Sequence, residues 1–222
     1  MTQLHKMNNT TKTSTRLAAL AGLALTASAN AAVIVNPSFE VDDVGNGAYI
    51  STATGWDVVG SPTGTQDFDA ESPTATDGEQ HGFASFANAS LSQLTPYIIT
   101  AGETYTLTVD VGQVTNFSGS QATISLFGST AGIGTALTNI NGTAESVVAP
   151  GSGAYLINQT VSYTAVAGDA FVGQQIGIAL VNTAGTQTLY DNVRLDIVAV
   201  PEPSSAALLG LGGFALILRR RK

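Results

Sequence analysis

The stretch "TYTLTVDV", Thr104–Val111, decides the fold class. Tyr105, Leu107, Val109 and Val111 fall on one face of an extended chain, and Thr104, Thr106, Thr108 and Asp110 on the other. A period of two with β-branched and aromatic residues marks a half-buried strand. Working outward, the same texture recurs. "QATISLF" at 121–127, "YLINQTVSYTAV" at 155–166, "QQIGIALV" at 174–181 and "TLYDNVRLDIV" at 188–198 read as strands. "AVIV" at 32–35, "GWDVV" at 55–59, "HGFASFA" at 81–87 and "SLSQL" at 90–94 are shorter candidates. No long 3.6-residue period appears between residues 32 and 199. Many short strands joined by Gly, Asn, Asp, Ser and Pro, without helical partners, predict an all-β antiparallel sandwich.

Composition separates the ends from the middle. The chain has 222 residues, 44% of them apolar and 11% charged. Its eight basic residues are Lys6, Lys12, Arg16, Arg194, Arg219, Arg220, Arg221 and Lys222. Between Ala32 and Ala199 the only basic residue is Arg194, against 15 acidic ones, a net charge of −14. Nucleic acid is excluded as a partner, because binding it requires Lys and Arg to displace counterions. There is no cysteine.

Both termini read as addresses. Lys6, Lys12 and Arg16 precede the apolar run Leu17–Ala27, and "ANA" at Ala29–Ala31 offers small residues at a cleavage site. This is the pattern of a secretory signal peptide, cut by signal peptidase after Ala31. At the other end "VPEPSSAALLGLGGFALILRRRK" sets Val200, Pro201, Glu202 and Pro203 before an uncharged run, 204–218, and a basic stop of Arg219, Arg220, Arg221 and Lys222. As a helix the 15-residue run spans ~22 Å, short of the ~30 Å hydrocarbon core. The basic stop obeys the positive-inside rule and places the body outside the cytoplasmic membrane. Three parts follow: a signal peptide over 1–31, a sandwich over 32–199 and a tail over 200–222.

The tail resembles the PEP-CTERM sorting signal of Gram-negative bacteria in all three of its parts. The resemblance implies that an exosortase recognises Val200–Pro203, that the apolar helix holds the chain in the membrane until processing, and that delivery is to the envelope, cell surface or extracellular matrix. The body carries a second likeness. "VNPSFE", "GW" at 55–56, "AGETYTLTVDVG" and "LYDNVRL" are similar to jelly-roll domains of the galactose-binding-like and carbohydrate-binding-module type. That likeness implies first and last strands lying near each other, with a structural calcium between them.

Residue by residue, Asp191 shares parity with Leu189, Val193, Leu195 and Ile197 and is expected on the apolar face. An inward carboxylate must be paired, hydrogen-bonded or metal-bound. With Glu40 it forms the candidate calcium pair, calcium taking 6–8 oxygen ligands; a bulge that turns Asp191 out to solvent, or capping of backbone groups, is the alternative. "DFDAE" at 67–71 lies in what reads as a polar loop, 61–80. Trp56 reads as core, while Tyr49 and Tyr97 in expected loops could stack on a sugar ring. His81 is the one histidine outside the leader, and no nucleophile is marked beside it, so triad chemistry lacks its parts. The sequence therefore predicts a non-catalytic envelope or matrix protein, with exopolysaccharide binding as the alternative.

Overall fold

The structure is a computed structural model. It describes residues 29–31, 34–68, 73–130, 138–149 and 153–200, with Gly210 and Gly213. The expected signal helix and transmembrane run lie almost wholly outside these residues. Among the described residues twelve strands make two antiparallel sheets: β1 (Ala29–Ala31), β2 (Ala48–Ile50), β3 (Asp57–Val59), β4 (Thr63–Asp67), β5 (His81–Ser85), β6 (Ser90–Ile98), β7 (Glu103–Gln113), β8 (Gln121–Ser129), β9 (Thr138–Val148), β10 (Ala154–Thr164), β11 (Gln175–Ala184) and β12 (Gln187–Ala199). The seven-stranded sheet runs β10-β7-β12-β5-β4-β2, with β1 also paired to β12; the five-stranded sheet runs β3-β6-β11-β8-β9. Among the described residues of the body there is no helix.

β7 alternates as its sequence demands. Tyr105, Leu107, Val109 and Val111 are fully buried between the sheets with Leu126, Ile178 and Tyr190. Each such side chain removed from water contributes ~1.5–3 kcal/mol. Trp56 belongs to this core, stacked on Phe39 at 5.2 Å between ring centroids. The two sheets are joined tightly where Gly185, at φ 79°, turns β11 of one into β12 of the other. A Cβ there would lie 2.5 Å from Ser120 Cα, so glycine is required for both conformation and space.

Four expectations are corrected. "AVIV" is not a strand over its described residues Ile34 and Val35; the edge pairing is made by Ala29–Ala31, which meets Asp196–Val198 of β12. The 61–80 segment contains β4, whose "TGTQD" is buried throughout without one apolar side chain. Tyr49 and Tyr97 lie in strands β2 and β6. Asp191 is buried, but on the outer face of its sheet. A bulge between Asp191 and Arg194 places Asn192 at φ 51°, and the extra residue reverses the alternation. Val193, Leu195 and Ile197 face the core, whereas Leu189 packs on the opposite side with Phe83 and Val114.

Candidate functional site

The outer face of the seven-stranded sheet carries a second, smaller apolar cluster. Phe83, Val114 and Leu189 are buried there, with Phe117 and Tyr155 packed against them. Beside the cluster lies a cavity of about 250 Å³, lined by Tyr49, Phe68, Phe83, Phe86 and Phe117 with the polar groups Gln66, Ser85 and Gln187. Tyr49 and Phe86 are half-exposed at its rim, at 51% and 57%. Phe86 also holds φ 67°, a left-handed conformation that costs a bulky residue ~1–3 kcal/mol. The N–H of Phe86 donates to Thr186 O at 2.7 Å, which fixes that geometry.

The floor is a relay of amides. Gln187 Nε2 donates to Gln66 Oε1 at 2.9 Å and to Ser85 Oγ at 3.2 Å. Gln66 Nε2 lies 3.3 Å from His81 Nε2, so the ring accepts there and carries its proton on Nδ1. His81 Nδ1 is buried and has no partner among the described residues, and the Tyr155 hydroxyl is in the same condition. Burial pushes the His81 ring down to about 4, so it is neutral at physiological pH. Tyr155 crosses Gly112 and meets the His81 ring at 6.3 Å; burial, with the charges of Asp191 and Asp110, raises its hydroxyl well above the usual range.

Below Tyr155 stand two buried carboxylates, Asp110 and Asp191, opposite each other on β7 and β12. The Thr76 hydroxyl lies 2.7 Å from Asp110 Oδ2 and 2.9 Å from Asp191 Oδ2. The N–H groups of Thr76 and Asp77 donate to Asp191 Oδ2 at 2.6 and 2.9 Å, and that of Asn192 to Oδ1 at 2.7 Å. Burial pushes Asp191 up to about 6 against the pull of these donors. Asp110 is the hub between two bulges. It accepts from Asn158 N at 2.6 Å on the β10 side and from Asn192 Nδ2 at 3.2 Å on the β12 side. Arg194 donates to the side-chain oxygens of both asparagines.

The candidate calcium residues meet the same segment at separate points. Asp191 holds Thr76 and Asp77; Glu40 Oε1 accepts from the N–H groups of Glu79 and Gln80 at 2.9 and 2.6 Å. Glu40 also borders an acidic cleft with Asp43, Asp67 and Glu79. Among the described residues no three His, Asp or Glu side chains gather as a metal set. Backbone N–H groups face both carboxylates, joined at Asp191 by the Thr76 hydroxyl. Sequence reasoning missed the pocket, because its residues come from positions 49 to 187; the signal within reach was the aromatic spacing of "HGFASF".

A family model described as HpiC1 cyclase, HpiC1-like, matches residues 30–196, and one described as PEP-CTERM protein-sorting motif matches residues 199–222. The chain belongs to the HpiC1-like family and ends in a PEP-CTERM sorting signal, which marks it as an exosortase substrate sorted to the envelope or surface. No curated protein matches it in sequence. A cyclase from Fischerella sp. TAU superposes with a TM-score of 0.64 at 19% identity, over 79% of this chain and 100% of that one. The Stig cyclase Fisc from Fischerella sp. TAU, in complex with (3Z)-3-(1-methyl-2-pyrrolidinylidene)-3H-indole, gives 0.63 at 20% identity, over 78% and 100%. The CBM22-1–CBM22-2 tandem of Paenibacillus barcinonensis Xyn10C gives 0.52 at 16%, over 82% of this chain and 49% of that one. At these identities the likeness speaks to the fold.

Proposed function

We propose that the body is a non-catalytic binding module, delivered to the envelope or matrix by its sorting signal, that holds one ring of an envelope polysaccharide in the aromatic pocket. The observation that carries this reading is the pocket itself: Tyr49 and Phe86 stand at its rim for ring stacking, over the amide floor of Gln66 and Gln187. Its volume, below the ~300–1,000 Å³ of sites for drug-sized ligands, suits a single ring. Affinity electrophoresis against the producing cell's exopolysaccharide tests the reading. The native protein should be retarded, and Phe86→Ala and Tyr49→Ala should each lose most of the retardation. A folded protein that migrates freely would leave the sandwich as a structural matrix component.

Family membership favours a second reading, turnover of a ring-forming substrate. It needs an acid or base that reaches the pocket. His81 is neutral with its Nε2 turned to Gln66, and Asp110 and Asp191 are engaged by the 76–77 segment and the two bulges. These engagements support binding over catalysis. Under the binding reading Asp191→Asn retains retardation; a ligand recovered chemically altered from the native protein but intact from this variant would establish turnover.

A further inference from the structure

β12, with 13 residues, is the longest strand among the described residues. Its first residue, Gln187, lies on the pocket floor, and its last, Ala199, immediately precedes the sorting signal at Val200. Thirteen residues at ~3.3 Å each place those ends about 40 Å apart. The strand's exit is tied to the sandwich: the Val200 N–H donates to Gly102 O at 2.7 Å. Only Pro201, Glu202 and Pro203 separate it from the apolar run, a reach of ~10 Å fully extended. Whatever surface the run enters, this end of the sandwich is held within that reach of it.

The end is made of three short segments, 98–103, 164–174 and 199–200. Gly102 N donates to Ala165 O, Gly173 N to Ile99 O and Ile99 N to Gln174 O, which ties them into one rim. The rim exposes Ile98 at 49%, Val166 at 60%, Val172 at 38% and Val200 at 44%. It has no lysine or arginine. Its two acids are turned onto tyrosine hydroxyls, Glu103 accepting from Tyr105 and Asp169 from Tyr163, each at 2.6 Å.

We propose that this apolar rim rests on the outer lipid surface of the cytoplasmic membrane while the tail holds the chain there, so that the pocket points away from the bilayer until sorting. The proposal rests on the anchoring role of the tail. Contact is apolar rather than electrostatic, because a body of net −14 with a rim free of cations gains nothing from anionic headgroups. The chain has no cysteine, so single labels are unambiguous. The exported chain, residues 32–222, carrying an environment-sensitive fluorophore at Val166→Cys or at Thr186→Cys, is reconstituted in phosphatidylcholine vesicles with brominated acyl chains, and Trp56 emission reports folding. The label at 166 should be quenched several-fold more than the one at 186, and phosphatidylglycerol should weaken that quenching. Vesicle flotation with neither label quenched would overturn the docking alone, as a body hanging free. Equal quenching at both would overturn it as a body lying on its side. Loss of flotation would overturn the anchoring and the docking together.

Discussion

Replacing His81 by glutamine should change how stability depends on pH, and by an amount the structure sets. His81 falls from an ordinary 6.5 to about 4 because its ring is buried. Its contribution is present above pH 6.5 and is lost as the pH falls towards 4, since the unfolded chain takes up the proton first. At ~1.36 kcal/mol per tenfold change in proton affinity, that loss amounts to ~3 kcal/mol. Asp191 works in the opposite direction. Burial raises it from 3.8 to about 6, so its contribution is present below 3.8 and is lost as the pH rises through 6, again ~3 kcal/mol. Between about pH 4 and pH 6 the two nearly cancel in the native protein. His81→Gln removes one side of the balance while retaining a partner for Gln66. Urea unfolding followed by the single, buried Trp56 measures both proteins at pH 7 and pH 4. The stability gap between native protein and variant should shift by ~3 kcal/mol in the variant's favour at the lower pH. Other carboxylates affect both proteins equally and drop out of the difference. A gap constant to within ~0.5 kcal/mol, the usual additivity error, would refute the burial of a neutral imidazole.

Three further outcomes are expected. Gly82→Ala would set a Cβ 2.4 Å from Phe39 Cζ, in a ring locked against Trp56, and should cost the upper part of the ~1–3 kcal/mol typical of overpacking, read by the same urea assay. Asp110→Ala leaves Asn158 N and Asn192 Nδ2 without their acceptor and leaves the Thr76 hydroxyl only Asp191, so we expect a loss of ~2–3 kcal/mol and faster amide exchange at residues 76–77. With Glu40 and Asp191 both engaged by backbone N–H groups, the melting temperature should be the same in calcium and in chelator; a calcium-dependent rise abolished by Glu40→Gln would instead establish them as ligands.

The parts of the fold that were legible in the sequence are those where each side chain answers to one neighbour. β7 alternates because one face meets the opposite sheet, and the tail's order of motif, apolar run and basic stop is entirely local. β12 was legible as a strand, but not its inversion. The carbonyl of Pro37, over 150 residues away, takes the Val193 N–H and stabilises the bulge, so nothing adjacent announces it. Parity alone sends Asp191 to the apolar face; the bulge, the alternative for this residue, turns it to the outer face, where it is nonetheless buried. β4 was illegible because its five buried positions carry no apolar side chain to announce a strand. The pocket was illegible for a related reason: Gln66 and Gln187 meet across 121 positions, and polar residues in strands ordinarily face water.

Arg194, held between the two bulge asparagines, has a practical consequence. It is the sole trypsin site between Ala32 and Ala199, and it sits in β12 with β7 bonded alongside. A folded body should thus pass intact through a protease that would cut the unfolded chain in two, and an amine-reactive label would find no lysine on it at all. Survival in trypsin is consequently a direct readout of whether the exported sandwich has closed.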